Sequence, residues 1–294
     1  MSFPKEITKT LKEFGYFSPH TVATAVAILK DLDGEAEVLA GGTDLLPLMK
    51  IRIMIPKYII NIKDIVGLNY IREESNVLKI GALTTISTIR ESDLIRRKCL
   101  SVYEAAKRFA TPQVRNMATV GGNICRSSPA ADMIPPLMTF DAEVKLVGPK
   151  GERRVLLEKF FTGAGENILN REILSEVVIP IPEGTYGTAF EKLTRTSVDL
   201  AKLSCAVKIT TSDNRCDDIR ITLGAVASTP VRARKAEQVI KGKKITDESI
   251  MRSAQAVAEE IAPITDVRST ANYRKQVSEV LARRLIKLAA ERAK

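Results

Sequence analysis

Histidine and tryptophan are nearly missing from this sequence, which has His20 as its single histidine and no tryptophan. One histidine is too little material for a histidine-based metal site or a Ser-His-Asp triad. Aromatic residues make up only 5% of the chain, which disfavours a stacking platform for nucleic-acid bases. If the protein is an enzyme, we therefore expect a bound cofactor to supply the chemistry.

The cysteines are few and widely spaced. There are four of them, Cys99, Cys125, Cys205 and Cys216, and no two form a Cys-x-x-Cys pair. This spacing disfavours a structural zinc site and an iron–sulfur cluster held by this chain alone. A disulfide framework is also disfavoured in a chain of this size.

Long apolar runs are missing as well, since no stretch approaches the roughly 18 residues that a membrane-spanning helix needs. Residues 1–12 alternate charged and apolar side chains and lack the apolar core of a signal peptide. We therefore expect a cytoplasmic protein without a membrane span. Apolar residues at 45% and charged residues at 27% of 294 residues are typical of a soluble chain with more than one compact unit.

The net charge of +10 is concentrated at the end of the chain, where residues 231–294 contain 15 Lys and Arg against 8 Asp and Glu. Acidic residues are interspersed with these cations on predicted helices. We therefore interpret the region as a solvated helical surface and expect no nucleic-acid partner. A docking face for an acidic partner protein is the alternative.

Strands and helices are mixed in the first part of the chain. The predicted strands are 37–40, 58–62, 70–73, 77–81, 142–147, 153–157 and 173–179, and the predicted helices are 21–32, 85–95, 101–110 and one that Thr43 caps. The stretch 113–132 is rich in Gly, Asn, Ser and Pro, which predicts an ordered loop. The proline- and glycine-containing segment 180–184 is the best domain boundary. Beyond it, three strands (188–194, 202–211 and 218–227) precede three helices, the last at 271–293, which favours an α+β domain.

Two glycine-rich segments carry the strongest chemical signal: Leu39-Ala40-Gly41-Gly42-Thr43-Asp44-Leu45 and Ala118-Thr119-Val120-Gly121-Gly122-Asn123-Ile124. Glycines let the backbone approach a ligand closely and leave N–H groups free to converge on an anion. Both segments together predict a cradle for the two phosphates of a dinucleotide, with amide nests at 41–43 and 121–123 facing one diphosphate. Neither segment matches a Rossmann fingerprint or a P-loop. The alternative is that each glycine pair is only a tight turn.

A third segment, Ser128-Pro129-Ala130-Ala131-Asp132, follows the second loop. The carboxylate of Asp132 and the hydroxyl of Ser128 are suited to accept hydrogen bonds from sugar or ribityl hydroxyls. The alternative for Asp132 is an N-cap for a helix beginning near Met133.

These three segments resemble the flavin-binding signatures of the xanthine dehydrogenase / carbon monoxide dehydrogenase medium subunit family. Weaker matches extend the resemblance over essentially the whole chain: Phe14-x-Tyr16-x-x-Pro19, Glu191-Lys192-x-x-Arg195 with Asp199-x-Ala201, and Tyr273-Arg274. The resemblance implies an α+β protein. Its two-part FAD-binding module of the vanillyl-alcohol oxidase (PCMH) type covers 1–182, with subdomains of about 1–56 and 57–182. A smaller α+β domain at 183–294 follows, with a three-stranded antiparallel sheet plus helices.

The resemblance also implies which residues bind FAD. By position in the motifs, Phe109 resembles the aromatic residue that packs on the adenine, and Lys192 a residue near the flavin ring. Phe190 and Leu174 are candidates for shielding one face of the flavin. Core packing is the alternative for Phe109, Phe190 and Leu174, and an exposed strand position is the alternative for Lys192. The full set of expected FAD-binding residues is Val38, Leu39, Ala40, Gly41, Gly42, Thr43, Asp44, Leu45, Phe109, Ala118, Thr119, Gly121, Gly122, Asn123, Cys125, Ser128, Asp132, Leu174, Phe190 and Lys192.

The chain departs from relatives at Cys125-Arg126, where small or apolar residues are more usual. His20 lies outside the glycine motifs, so we expect FAD to be bound non-covalently. No residue of this chain is expected to act as a catalytic group on the organic substrate.

By this resemblance, the protein is an electron-transfer subunit within a heterotrimer, assembled as a dimer of heterotrimers. A large molybdopterin subunit oxidises the substrate, a small subunit with [2Fe-2S] clusters relays electrons, and FAD passes them to NAD or another acceptor. A free-standing FAD-dependent oxidase with the same cradle is the first alternative. A basic binding protein without flavin is the second.

Overall fold

The computed structural model describes residues 11–293, so most of the expectation for residues 1–12 lies outside the described part. A small parallel sheet comes first, with strands β1 (Gly15–Phe17), β2 (Ala36–Leu39) and β3 (Tyr58–Asn61) in the order β1-β3-β2. Helix α1 (Val22–Asp31) connects β1 to β2, and α2 (Leu45–Lys50) connects β2 to β3. The Thr21 side chain caps α1, whose buried residues Ala25, Val26 and Leu29 pack on this sheet.

A five-stranded antiparallel sheet forms the second part. Its order is β4-β5-β10-β6-β7, with β4 at Ile71–Glu74, β5 at Val77–Gly81, β6 at Glu143–Gly148, β7 at Gly151–Leu156 and β10 at Ile173–Pro180. The strands predicted at 70–73 and 77–81 form an antiparallel hairpin, in which Ser75 and Asn76 both adopt left-handed backbone angles between β4 and β5. Seven of the eight β10 residues are buried, which is consistent with its central place in the sheet.

Short helices cover this second sheet. They are α3 (Ile86–Glu91), α4 (Asp93–Lys98), α5 (Leu100–Lys107), α6 (Pro112–Met117), α7 (Val120–Cys125) and α8 (Ile134–Thr139). The predicted loop at 113–132 is therefore wrong, because it contains most of α6 and all of α7. The side chains of Thr111 and Thr119 cap these two helices, and Pro112 occupies the first helical turn. A 3-10 helix (Leu157–Lys159) and the small hairpin of β8 (Phe161–Gly163) and β9 (Glu166–Asn167) complete this part.

The last part is an antiparallel sheet with helices on one face. Its long strands are β11 (Tyr186–Leu193), β12 (Leu203–Ser212) and β13 (Arg215–Gly224), followed by β14 (Val231–Arg232) and by helices α9 (Arg234–Ile240), α10 (Asp247–Glu260) and α11 (Ala271–Arg292). The expected sheet had three strands, whereas the structure has four. The fourth was missed because two residues carry no readable strand pattern.

The two faces of this sheet have different partners. On β12, Cys205, Val207 and Ile209 share a hydrophobic core with residues of α10 and α11, while Ala206 belongs to the core of the preceding part. The face of the sheet that packs on the preceding part also makes polar contacts with it. For example, the Thr222 hydroxyl donates to the Pro135 carbonyl oxygen at 2.6 Å. The C-terminal sheet is therefore packed directly on the helices that follow the glycine-rich loops.

Within residues 11–293, no helix combines the length and the apolar character needed to cross a membrane.

Candidate functional site

The two glycine-rich loops lie against each other. A Cβ atom built on Gly41 would stand 2.0 Å from the carbonyl oxygen of Met117, which immediately precedes the second loop. A Cβ atom on Gly122 would stand 4.0 Å from that of Ala40. No side chain fits at Gly41, so glycine there permits the contact. Residues of both loops line one cleft, as the cradle predicted from the two segments requires.

The first loop leaves its amide groups free. Gly42 has a φ of 74°, in the left-handed region. None of the residues that the structure describes accepts a hydrogen bond from the backbone N–H groups of Gly41, Gly42 or Thr43. The prediction that Thr43 caps a helix is wrong, because α2 has Asp44 at its N-cap and no side chain completes the cap. The loop therefore presents a nest of N–H donors suited to an anion.

The second loop is different, and the prediction of a second amide nest is wrong. The N–H groups of Gly121, Gly122 and Asn123 donate to the Ala82 carbonyl, the Thr119 hydroxyl and the Thr119 carbonyl, at 3.0, 3.0 and 2.9 Å. A Cβ atom on Gly121 would stand 2.8 Å from Ala82, so this glycine permits close packing. The second loop forms a wall of the cleft and offers side chains rather than backbone donors.

A cleft of about 570 Å³ opens between the loops, within the usual size of a cofactor site. Most of the expected binding residues line it: Val38, Ala40, Gly41, Gly42, Thr43, Asp44, Leu45, Phe109, Ala118, Thr119, Gly121, Gly122, Asn123, Cys125 and Leu174. Five do not line it: Leu39, Ser128, Asp132, Phe190 and Lys192. Among the lining residues, burial raises the pKa of the Cys125 thiol to about 12, which keeps this thiol neutral beside the loop.

Three of the five residues outside the lining have other contacts. Leu39 and Phe190 are buried in hydrophobic clusters, and core packing accounts for both. The Ser128 hydroxyl accepts a hydrogen bond from the Ala130 N–H at 3.3 Å, within its own turn.

Asp132 and Lys192 form a buried ion pair. The Lys192 Nζ lies 2.7 Å from Asp132 Oδ2, and the two side chains are only 3% and 6% exposed for Lys192 and Asp132. Lys192 is therefore not an exposed strand residue, and Asp132 is not an N-cap, since α8 begins at Ile134 after Met133. Burial raises the pKa of Asp132 to about 6, against the opposing effect of the Lys192 charge.

One carboxylate oxygen of this pair lacks a partner. Asp132 Oδ1 is buried and accepts no hydrogen bond from any described residue. The neighbouring Met133 N–H donates to Asn123 Oδ1 at 3.3 Å, and Asn123 lines the cleft. Asp132 thus lies just behind the cleft wall. An unsatisfied buried acceptor at this place fits a ligand that carries an N–H or hydroxyl donor, as the flavin of FAD does.

The small β8–β9 hairpin is a part of the site that the sequence did not reveal. Gly165 of its turn and Glu166 and Asn167 of β9 line the cleft. The Asn167 Nδ2 donates to the Cys125 carbonyl oxygen at 3.0 Å, which fastens the hairpin to the end of α7. Strands of three and two residues give no periodic pattern, and the contact spans about 40 residues, so no local signal could have found it.

Comparisons with known proteins agree with this geometry. The family described as "FAD binding domain in molybdopterin dehydrogenase" matches residues 12–182, and the "CO dehydrogenase flavoprotein C-terminal domain" matches residues 188–289. The chain is 37% identical to the carbon monoxide dehydrogenase medium chain of Afipia carboxidovorans, over 96% of this chain and 98% of that one. It is 33% identical to the glyceraldehyde dehydrogenase medium chain of Sulfolobus acidocaldarius, over 94% and 98%.

A solved structure of carbon monoxide dehydrogenase from Hydrogenophaga pseudoflava superposes with a TM-score of 0.95 at 35% identity, covering 97% of this chain and 100% of that one. The expected fold class is thereby confirmed, and with it the FAD-binding module. The chain therefore belongs to the FAD-binding medium subunits of the molybdopterin dehydrogenases, an oxidoreductase family that includes carbon monoxide dehydrogenase.

Proposed function

We propose that this chain is the electron-transfer subunit of a molybdopterin-dependent hydroxylase complex. In this proposal, a small subunit supplies electrons from [2Fe-2S] clusters, and NAD or another acceptor receives them. A large molybdopterin subunit oxidises the organic substrate. The three chains assemble as a dimer of heterotrimers in the cytoplasm.

The observation that carries the proposal is the diversity of the matched relatives. The same subunit, aligned over nearly its whole length, occurs in dehydrogenases named for carbon monoxide and for glyceraldehyde. A subunit common to enzymes with such different substrates should perform their shared step. Electron transfer is that step, and substrate selection then belongs to another chain.

The cleft residues have separate roles in this proposal. The free N–H groups of Gly41, Gly42 and Thr43 hold the diphosphate of FAD, and Phe109 packs on the adenine. Leu174 covers one face of the flavin ring. Bound FAD supplies the capacity to exchange one or two electrons, and the protein sets its orientation and electrostatic surroundings.

The ion pair behind the wall has a positioning role. Asp132 Oδ1 accepts a hydrogen bond from the flavin, while Lys192 holds the carboxylate in place from the C-terminal sheet. His20, which is exposed, does not line the cleft, so FAD is held without a covalent bond.

Purification tests the proposal directly. The full chain, expressed together with candidate small [2Fe-2S] and large molybdopterin subunits, should carry a visible flavin spectrum, release intact FAD on mild denaturation, and co-purify with both companion chains. Anaerobic NADH should bleach the flavin absorption if NAD is the acceptor. A colourless chain that does not take up added FAD would refute cofactor binding here. Oxidation of a small alcohol or sugar by the isolated chain would instead favour the free-standing oxidase.

A further inference from the structure

Arg126 occupies the mouth of the cleft, where the second loop ends. It caps the C-terminus of α7, with its N–H donating to the Gly122 carbonyl oxygen at 3.0 Å. Its side chain lines the cleft and reaches across to the first loop, where Nε lies 3.7 Å from Asp44 Oδ1. Asp44 directly follows the amide nest of Gly41–Thr43. The guanidinium is therefore adjacent to the proposed diphosphate position.

The β8–β9 turn supports this side chain from the other side. A Cβ atom on Gly165 would stand 3.3 Å from Arg126 Nη1, so the guanidinium lies over the turn. The turn itself is held by the Gly165 N–H, which donates to the Ser127 carbonyl oxygen at 2.9 Å. Arg126 is thus placed between two elements that are both part of the site.

The guanidinium of Arg126 donates no hydrogen bond to any residue that the structure describes. A separation of 3.7 Å from Asp44 is too long for a hydrogen bond, and no other described residue accepts one from this guanidinium. Arg171, the other arginine in the lining, is paired with Asp33. Arg126 therefore has its hydrogen-bonding capacity available for a ligand.

The charge of the cleft favours such a cation at this place. Its lining contains the acidic residues Glu37, Asp44, Glu166 and Glu172 and the arginines Arg126 and Arg171. Glu172 is paired with Arg153, and Arg171 with Asp33, so Arg126 is the lining arginine that no described carboxylate holds at hydrogen-bond distance. A diphosphate adds negative charge, and the amides of the second loop are already bonded within the protein.

We propose that Arg126 binds the diphosphate of FAD, exchanging its loose ion pair with Asp44 for the phosphate oxygens. The planar guanidinium suits paired contacts with phosphate oxygens. The inference rests on the proposed diphosphate position between the two loops. In this proposal the Arg126 side chain, at the end of the second loop, binds the phosphates in place of the amide groups predicted at 121–123.

Binding of FAD, ADP and riboflavin to the full chain stripped of FAD tests this assignment. Arg126→Ala should weaken FAD and ADP binding by about tenfold each and leave riboflavin binding unchanged. The FAD affinity of the variant should also depend less steeply on salt. Arg126→Lys should recover affinity to within about threefold of the original, because it keeps the charge and loses the fork geometry.

A matched control separates specific from general charge effects. Arg252→Ala removes an arginine from the exposed face of α10, where it pairs with Glu248, and this variant should bind all three ligands like the original chain. Unchanged FAD affinity in Arg126→Ala, or an equal loss for riboflavin, would overturn the role of Arg126. If the original chain itself bound riboflavin as tightly as FAD and ADP not at all, the diphosphate position would be wrong.

Discussion

Gly41 and Met117 are in contact through their backbones, at a separation that leaves no room for a side chain on Gly41. They belong to different parts of the fold, since Gly41 follows β2 of the parallel sheet and Met117 ends α6 beside the antiparallel sheet. The contact fixes the first glycine-rich loop against the second and so shapes the cleft between them.

Replacing Gly41 should separate the two loops. In Gly41→Ala the new methyl group would meet the Met117 carbonyl oxygen, and backbone cannot yield as a side chain tip does. We expect a loss of about 2–3 kcal/mol in the free energy of unfolding, together with loss of bound flavin, measured by denaturant titration and by the visible spectrum.

Gly163→Ala is the control for that substitution. A Cβ atom there would meet Glu166 Oε2 at 2.7 Å, the end of a flexible and exposed side chain that can move. Its unfolding free energy should change by less than about 1 kcal/mol. An equally stable Gly41→Ala chain with full flavin content would contradict the proposed contact.

Lys192 should stabilise the folded protein by neutralising the buried carboxylate of Asp132. In Lys192→Met the carboxylate would remain buried without its counter-ion, which is expected to destabilise the protein by about 3 kcal/mol. Thermal and denaturant unfolding would measure the loss. The double variant Asp132→Asn/Lys192→Met, which removes both charges, should recover part of it, and failure to do so would argue against the ion pair as the cause.

Asp132 should also make stability depend on pH. Its pKa is raised by burial to about 6, so the folded chain binds a proton more readily than the unfolded chain does. The resulting contribution of Asp132 to the free energy of unfolding is fully present below its pKa in the unfolded chain, near 4. This contribution is lost as pH rises through about 6. Compared with Asp132→Asn, the original chain should therefore lose unfolding free energy between about pH 4 and 6. Parallel pH profiles of the two proteins would refute this.

Glu104 should hold the C-terminal sheet to the FAD-binding part. Its carboxylate accepts hydrogen bonds from Arg292 at 2.7 Å and from the Phe190 N–H at 2.9 Å. Glu104→Ala would leave a buried amide without a partner, at a cost of about 2 kcal/mol. Limited proteolysis should then cleave faster in the segment 180–184. The control variant Glu291→Ala, at an exposed position of α11, should be cleaved at the rate of the original chain. Equal cleavage rates for the two variants would contradict the role of Glu104.

FAD itself should stabilise the fold. Because the cofactor binds the folded chain, a concentration 100 times its Kd should add about 2.7 kcal/mol to the unfolding free energy. A thermal melt with and without added FAD measures this as a rise in Tm, with UMP as a control for binding of nucleotides in general. No shift with FAD, or an equal shift with UMP, would contradict a dedicated FAD site.

Local structure and family could be determined from the sequence alone. The Ser75–Asn76 turn, the strand pairs and the final helix follow from apolar periodicity and turn residues, which act between near neighbours along the chain. The glycine-rich motifs were sufficient to identify the family, because close backbone approach restricts those positions to glycine.

Only the tertiary structure decided how these segments work together. It showed that the amides of the second loop are bonded within the protein, that Lys192 reaches Asp132 across 60 positions of sequence, and that the β8–β9 hairpin lines the cleft. These features depend on which distant groups meet when the sheets pack. Hydrogen-bond partners and burial are properties of the packed chain, and no local pattern encodes them.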